Sequence, residues 1–195
     1  MILKLICVKE LPGHVKFLNI ISYYDEIMND ITGQKIKIIG TIDDVLEMET
    51  VYPSFSEEPP MHFHPKQQEY FEVLEGELTV RYKDKIKHYE KGSIIHIQAK
   101  QAHAMWNSGF TPAKVTWKVK PALATEKLLR ETFKLANDGR TDQFGKPYPL
   151  VLIYLLKKYS GTFRLARPKF IVIMILYVLF SPIYYFCNYK RNLFH

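Results

Sequence analysis

The stretch Met61-His62-Phe63-His64-Pro65-Lys66-Gln67-Gln68-Glu69-Tyr70-Phe71-Glu72-Val73-Leu74-Glu75-Gly76 decides how this chain folds. His62 and His64 stand two apart, so on an extended strand both imidazoles point to one face. Glu69 follows after four residues and Gly76 after six more. A second stretch runs from Gly92 through Gln98-Ala99-Lys100 to His103 and Asn107. It offers a third imidazole on a later strand. Three imidazoles and one carboxylate leave room for water or substrate on a metal with more than four positions.

Working outward, the pattern is one of short strands. Lys35–Gly40, Val45–Tyr52, Tyr70–Leu74, Glu77–Lys83, Gly92–Ile97, Ala102–Trp106 and Ala113–Lys120 are expected to be extended. Leu78, Val80 and Tyr82 alternate with Glu77, Thr79, Arg81 and Lys83, and Ala113, Val115, Trp117 and Val119 alternate with Lys114, Thr116 and Lys118. A period of two with one apolar face means antiparallel strands buried on one side. Glu75-Gly76 and Lys83-Asp84-Lys85 supply turns. Many short antiparallel strands suit a jelly roll or small barrel.

The two histidine-bearing stretches resemble the two signature motifs of the cupin superfamily. The first matches at His62, His64, Glu69 and Gly76, with Ser56 in place of the leading glycine. The second matches at Gly92, His103 and Asn107, with Gln98 and Lys100 replacing the usual proline and glycine. The resemblance implies a mainly β fold, an antiparallel double-stranded β-helix (jelly-roll, cupin) barrel. It also implies that His62, His64, Glu69 and His103 ligate one divalent transition metal. Mixed nitrogen and oxygen ligands suit Fe, Mn, Ni, Cu or Zn without separating them. Four such groups buried with no partner would cost about 2–7 kcal/mol each, which favours a metal over plain packing. The ligands must be deprotonated, so binding is expected to weaken below about pH 6.

Other polar residues receive plainer readings. Met105 and Asn107 share parity with His103, and Phe71 and Val73 with Glu69, so all four are expected to line or fill the barrel. His88 is read as a solvated surface residue, Trp106 as facing away from the site, and His96 has no assigned face. No catalytic residue beyond the ligands can be named. There is no phosphate loop, nucleophile elbow or zinc-finger spacing.

Residues 1–28 are read as an N-terminal extension, with Met28 a natural beginning, 29–121 as the barrel and 122–160 as a helical extension. Thr125 is expected to cap a helix through about Ala136, and a short second helix to cover Leu150–Tyr159. This stretch resembles the extension of some bacterial single-domain cupins. Residues 168–189 form an apolar, membrane-type segment. Phe170–Cys187 holds 18 residues without a charge. As a helix it would reach about 27 Å, near the thickness of a hydrocarbon core. Pro182 is expected to kink or end it, and an in-plane anchor or a buried interface helix are the alternatives to a transmembrane helix.

Charge follows the same division. Seven of the 27 basic residues and none of the 20 acidic ones lie in 151–195, so the net charge of +7 belongs to the tail. The barrel is balanced, which argues against a nucleic-acid partner. Cys7 and Cys187 offer no disulfide framework. The expectation is a barrel on the cytoplasmic side of a membrane, held there by Phe170–Cys187, with a soluble cytoplasmic protein as the alternative. The resemblance adds a small-molecule ligand in the barrel and a homodimer. Two function classes remain: a metal-dependent small-molecule oxygenase or isomerase, and a non-catalytic module that binds or senses a metal or small molecule. A scaffold with an empty site is a weaker third.

Overall fold

The computed structural model describes residues 6–7, 17–18, 25–83 and 85–192. Its strands are β1 (Ile6–Cys7), β2 (Phe17–Leu18), β3 (Asp25–Met28), β4 (Lys35–Ile42), β5 (Val45–Tyr52), β6 (His62–Phe63) and β7 (Gln68–Glu75). They continue as β8 (Glu77–Tyr82), β9 (Lys85–Glu90), β10 (Ile94–Ile97), β11 (Ala104–Trp106), β12 (Ala113–Lys120) and β13 (Arg164–Leu165). The helices are α1 (Thr125–Asn137), α2 (Pro149–Lys158) and α3 (Phe170–Asn192).

A six-stranded antiparallel sheet runs β10-β7-β12-β5-β4-β3 and faces a three-stranded sheet β11-β8-β9. Alternation sets the buried face strand by strand. On β7, Glu69, Phe71 and Val73 turn inward while Gln68, Tyr70 and Glu72 turn out. On β5, Leu46, Met48 and Thr50 do the same. Phe71, Val73, Leu78, Val80, Ile95 and Val115 form one end of the core. Ile36, Leu46, Met48, Val119 and Phe133 form the other, so α1 closes the second end by packing Phe133 on the barrel. Fully burying each of these side chains contributes about 1.5–3 kcal/mol.

Gly76 makes the β7–β8 turn with φ +72°, and a Cβ there would lie 2.4 Å from the Pro112 carbonyl oxygen. Only glycine fits. The substituted positions of the motifs are accommodated by other means. Lys100 adopts the left-handed conformation at φ 66° and donates its N–H to the His64 carbonyl. Ser56 accepts the Asn107 N–H on its Oγ and donates its own N–H to the Asn107 carbonyl.

Several elements differ from expectation. β9 is not among the expected strands; its residues are exposed almost throughout, leaving no apolar face to read. Thr125 does not cap α1: Ala124 holds that position without a side-chain cap, and the Thr125 hydroxyl is buried as an acceptor for Gln67. Helix α2 starts with Pro149 in its first turn, where a missing N–H costs nothing. Asp25–Met28, within the N-terminal stretch, pair with β4, and Asp25 pairs with Arg130 of α1. The rest of that stretch, apart from the β1–β2 pair, lies outside the described residues.

The tail is one helix that continues past Pro182. Against the expected transmembrane helix, no helix among the described residues is long and apolar enough to cross a membrane. One side of α3 packs on α2, where Tyr184 stacks on Tyr154. The opposite side leaves Ile171, Ile175, Val178, Leu179 and Ile183 exposed.

Candidate metal centre

Strand pairing and short side-chain contacts bring the ligand candidates together. His62 and His103 sit opposite each other in an antiparallel bridge and exchange both main-chain hydrogen bonds, at 2.9 and 2.8 Å. Their rings therefore share a face, with centroids 4.4 Å apart. His64 adds its ring at 5.3 Å from His62 and 5.7 Å from His103. One ring nitrogen from each of the three can be chosen so that all lie within 4.8 Å of one another. Glu69, at the start of β7, places Oε2 3.1 Å from His64 Nε2 and 3.1 Å from His103 Nε2. Glu69, His103 and His64 are 1%, 2% and 5% exposed, while His62 is half-buried at the rim.

The backbone determines which nitrogens face inward. His62 Nδ1 lies 3.1 Å from the Pro60 carbonyl, His64 Nδ1 2.8 Å from Thr162, and His103 Nδ1 3.1 Å from Gln101. A carbonyl only accepts, so each Nδ1 carries the proton and each neutral ring keeps a bare lone pair on Nε2. This is how metal-binding imidazoles are oriented by their outer partners. Two of those lone pairs then meet a carboxylate oxygen, which also only accepts. His64 Nε2 and Glu69 Oε2 are buried without a hydrogen-bond partner. Such a convergence needs a positive charge between its members, either a proton or a metal ion, so the donor set fits a divalent metal.

The ionisation of the site reflects the same convergence. Burial, then the neighbouring imidazoles of His103 and His64, push the His62 pKa down to about 3. Burial also acts against charge on His64, but the Glu69 carboxylate and the Thr162 carbonyl outweigh it and raise its pKa. Burial opposes charge on Glu69 too, yet His64 and His103 beside it hold its carboxyl well below the usual range.

Several contributors carry no sequence signature. Trp117 Nε1 donates to Glu69 Oε1 at 3.0 Å, fixing the carboxylate. Val119 is directly opposite Glu69 across the β12–β7 pair, which puts Trp117 on the diagonal of the same face. Gln67 is held by donation to the Pro121 and Ala122 carbonyls and to Thr125, and its own carboxamide oxygen lies buried beside His64. Phe163 stacks on the His62 ring at 4.7 Å.

Neighbouring residues fall outside the site. His96 points outward, stacked on Tyr70 and bonded to Gln68. His88 is exposed and pairs with Glu77. Met105 is core. Trp106 is buried, with the Arg81 guanidinium over its ring. Asn107 is a loop clamp, donating to the Pro53 and Thr111 carbonyls and accepting from Gly109.

Residues 48–119, which span β5 to β12 and carry Glu69, His62, His64 and His103, match the family described as Cupin domain. Over these residues the chain matches a cupin domain. Among solved structures, the chain is similar to a conserved protein with a double-stranded β-helix domain from Klebsiella pneumoniae subsp. pneumoniae MGH 78578, at 24% identity and TM-score 0.41 over 45% of this chain and 76% of that one. It is also similar to an RmlC-like cupin from Shewanella frigidimarina NCIMB 400, at 19% identity and TM-score 0.45 over 52% and 86%. A third is a cupin-superfamily sugar phosphate isomerase from Silicibacter pomeroyi DSS-3, at 16% identity and TM-score 0.44 over 50% and 71%. No curated protein matches the chain.

Proposed function

We propose that this cupin holds one divalent transition metal (Fe, Mn, Ni, Cu or Zn) on His62, His64, Glu69 and His103, and presents it to a small molecule as a metal-dependent oxygenase or isomerase. The observation that carries the reading is the buried meeting of Glu69 Oε2 with the lone pairs of His64 and His103. A metal bound there would supply a Lewis acid or redox centre. The protein's own part is to orient the imidazoles through three carbonyls and to keep the carboxylate ionised. Tyr52 adds a donor: burial, then the charge of Glu69, raise its phenol pKa, so it stays protonated at neutral pH. Titrating the full chain calorimetrically with each metal tests the proposal. One site is expected, lost in His103→Ala; no binding of any metal would refute it.

A metal held beside a protonated phenol also serves a non-catalytic binding or sensing module. Turnover of any chelating substrate by the metal-loaded protein separates the two. The tail is proposed as a membrane contact on the cytoplasmic face. Support comes from the exposed apolar side of α3, with Arg164, Arg167 and Lys169 just before it. A homodimer through exposed apolar side chains of the barrel, among them Ile42 and Ile94, belongs to the same proposal, and sedimentation of the full chain tests it.

A further inference from the structure

The side of the metal centre nearest solvent is not closed by the barrel. Of the three imidazoles only His62 retains solvent access. Across its face lies the segment that joins α2 to α3, some hundred residues further along the chain. β13 pairs with β6, matching Arg164 with Phe63 and Leu165 with His62, and Ala166 donates its N–H to the Met61 carbonyl at 2.8 Å. This strap places Phe163 face-on against His62, with centroids 4.7 Å apart and planes at 27°, and edge-on to His64 at 6.1 Å. The residue before it, Thr162, supplies the carbonyl that fixes His64.

Resting on the metal reading above, we infer that Phe163 is the gate of the centre: the strap Gly161–Ala166 forms its outer wall, and a small ligand reaches the metal across His62 only when the Phe163 ring swings away. Two rings at stacking distance leave no room for a third group between them. The strap is anchored by main-chain bonds to β6, so the side chain can move while the wall stays. Its anchoring also means that the C-terminal segment is part of the site. The rotation exposes the one rim imidazole and leaves the buried His64–Glu69–His103 side intact.

The test uses the full chain loaded with Co²⁺, whose visible spectrum reports occupancy and ligation. Release of Co²⁺ to excess EDTA and binding of azide are measured for the native protein, Phe163→Ala and Phe163→Leu. The expected result is one Co²⁺ per chain in all three. Release should be roughly threefold to tenfold faster in Phe163→Ala, the scale one lost aromatic pair allows, with tighter azide binding. Phe163→Leu, which keeps most of the bulk, should lie between and carries the test if the alanine variant does not fold. Equal release rates and equal azide affinity in native and variant proteins, with Co²⁺ bound in each, would overturn the gate. Failure of the native protein to bind Co²⁺ would overturn the metal reading itself, and the gate with it.

Discussion

Trp117 and Glu69 are locked by one hydrogen bond, Nε1 to Oε1 at 3.0 Å, which leaves Glu69 Oε2 to face His64 and His103. The indole thus decides which carboxylate oxygen reaches the centre. Trp117→Phe keeps most of the ring packing on Phe71 and removes the donor. Metal affinity should fall about 10- to 100-fold, the usual consequence of losing an outer partner. The unpaired carboxylate oxygen should cost about 1–3 kcal/mol of stability in the metal-free protein. Competition with a chromophoric chelator and urea unfolding measure the two effects separately.

The ligands should differ in what their removal costs. His62 is at the rim and half-buried, so His62→Ala should lose metal with little loss of metal-free stability. His103 is buried between His62 and Glu69, and its removal opens a cavity as well. His103→Ala should therefore lose metal and about 2 kcal/mol or more of stability. Denaturant unfolding of both variants in the presence of EDTA checks the order.

The pH dependence has opposite signs for two neighbouring rings. The raised pKa of His64 means that its proton stabilises the metal-free fold below about pH 6.5, and that this is lost as pH rises through the folded value. The lowered pKa of His62 contributes stability above that point, lost as pH falls toward about 3. Glu69, with its pKa also lowered, contributes above its ordinary range and loses this in strong acid. Metal must displace the His64 proton, so affinity should still be rising with pH above 6.5, a higher window than ordinary imidazoles give. Metal titrations between pH 5.5 and 8.5 test this; an affinity already flat from pH 6 upward would contradict it.

Two backbone positions predict opposite responses. Gly76→Ala meets the Pro112 carbonyl at 2.4 Å in a positive-φ turn and should destabilise the barrel by at least about 2 kcal/mol. Lys100→Gly relieves a non-glycine residue at φ 66° and should stabilise by about 0.5 kcal/mol after the greater flexibility of the unfolded chain is offset. Thermal unfolding of each variant reads the sign.

The apolar face of α3 gives a further test. The full chain should co-sediment with vesicles containing phosphatidylserine and bind neutral vesicles less. Ile175→Asp combined with Leu179→Asp should abolish both, because two charges are placed on the exposed side. Equal sedimentation of native and doubly substituted protein would remove the membrane contact.

The inward strands and the three imidazoles were legible because strand parity is a local rule: once His62 and Glu69 face in, Phe71 and Val73 must follow. His96 was not placeable from sequence, since its face depends on the turn that Lys100 makes at positive φ. Strand β9 was hidden by having no buried side to alternate against. Thr125 looked like a cap because threonine often is one, whereas a glutamine 58 positions earlier claims its hydroxyl. Thr162 and Phe163 were out of reach for a different reason. A main-chain carbonyl has no residue signature, and a phenylalanine between two helices looks like any other until β13 pairs with β6.

The most direct measurement is the metal content of the full chain by mass spectrometry, after purification without chelators or a metal-carrying tag, for the native protein and His62→Ala. The account predicts close to one Fe, Mn, Ni, Cu or Zn per native chain and a near-empty His62→Ala. A native protein that holds no metal, even after anaerobic addition of each ion, would contradict it, as would an undiminished content in the variant.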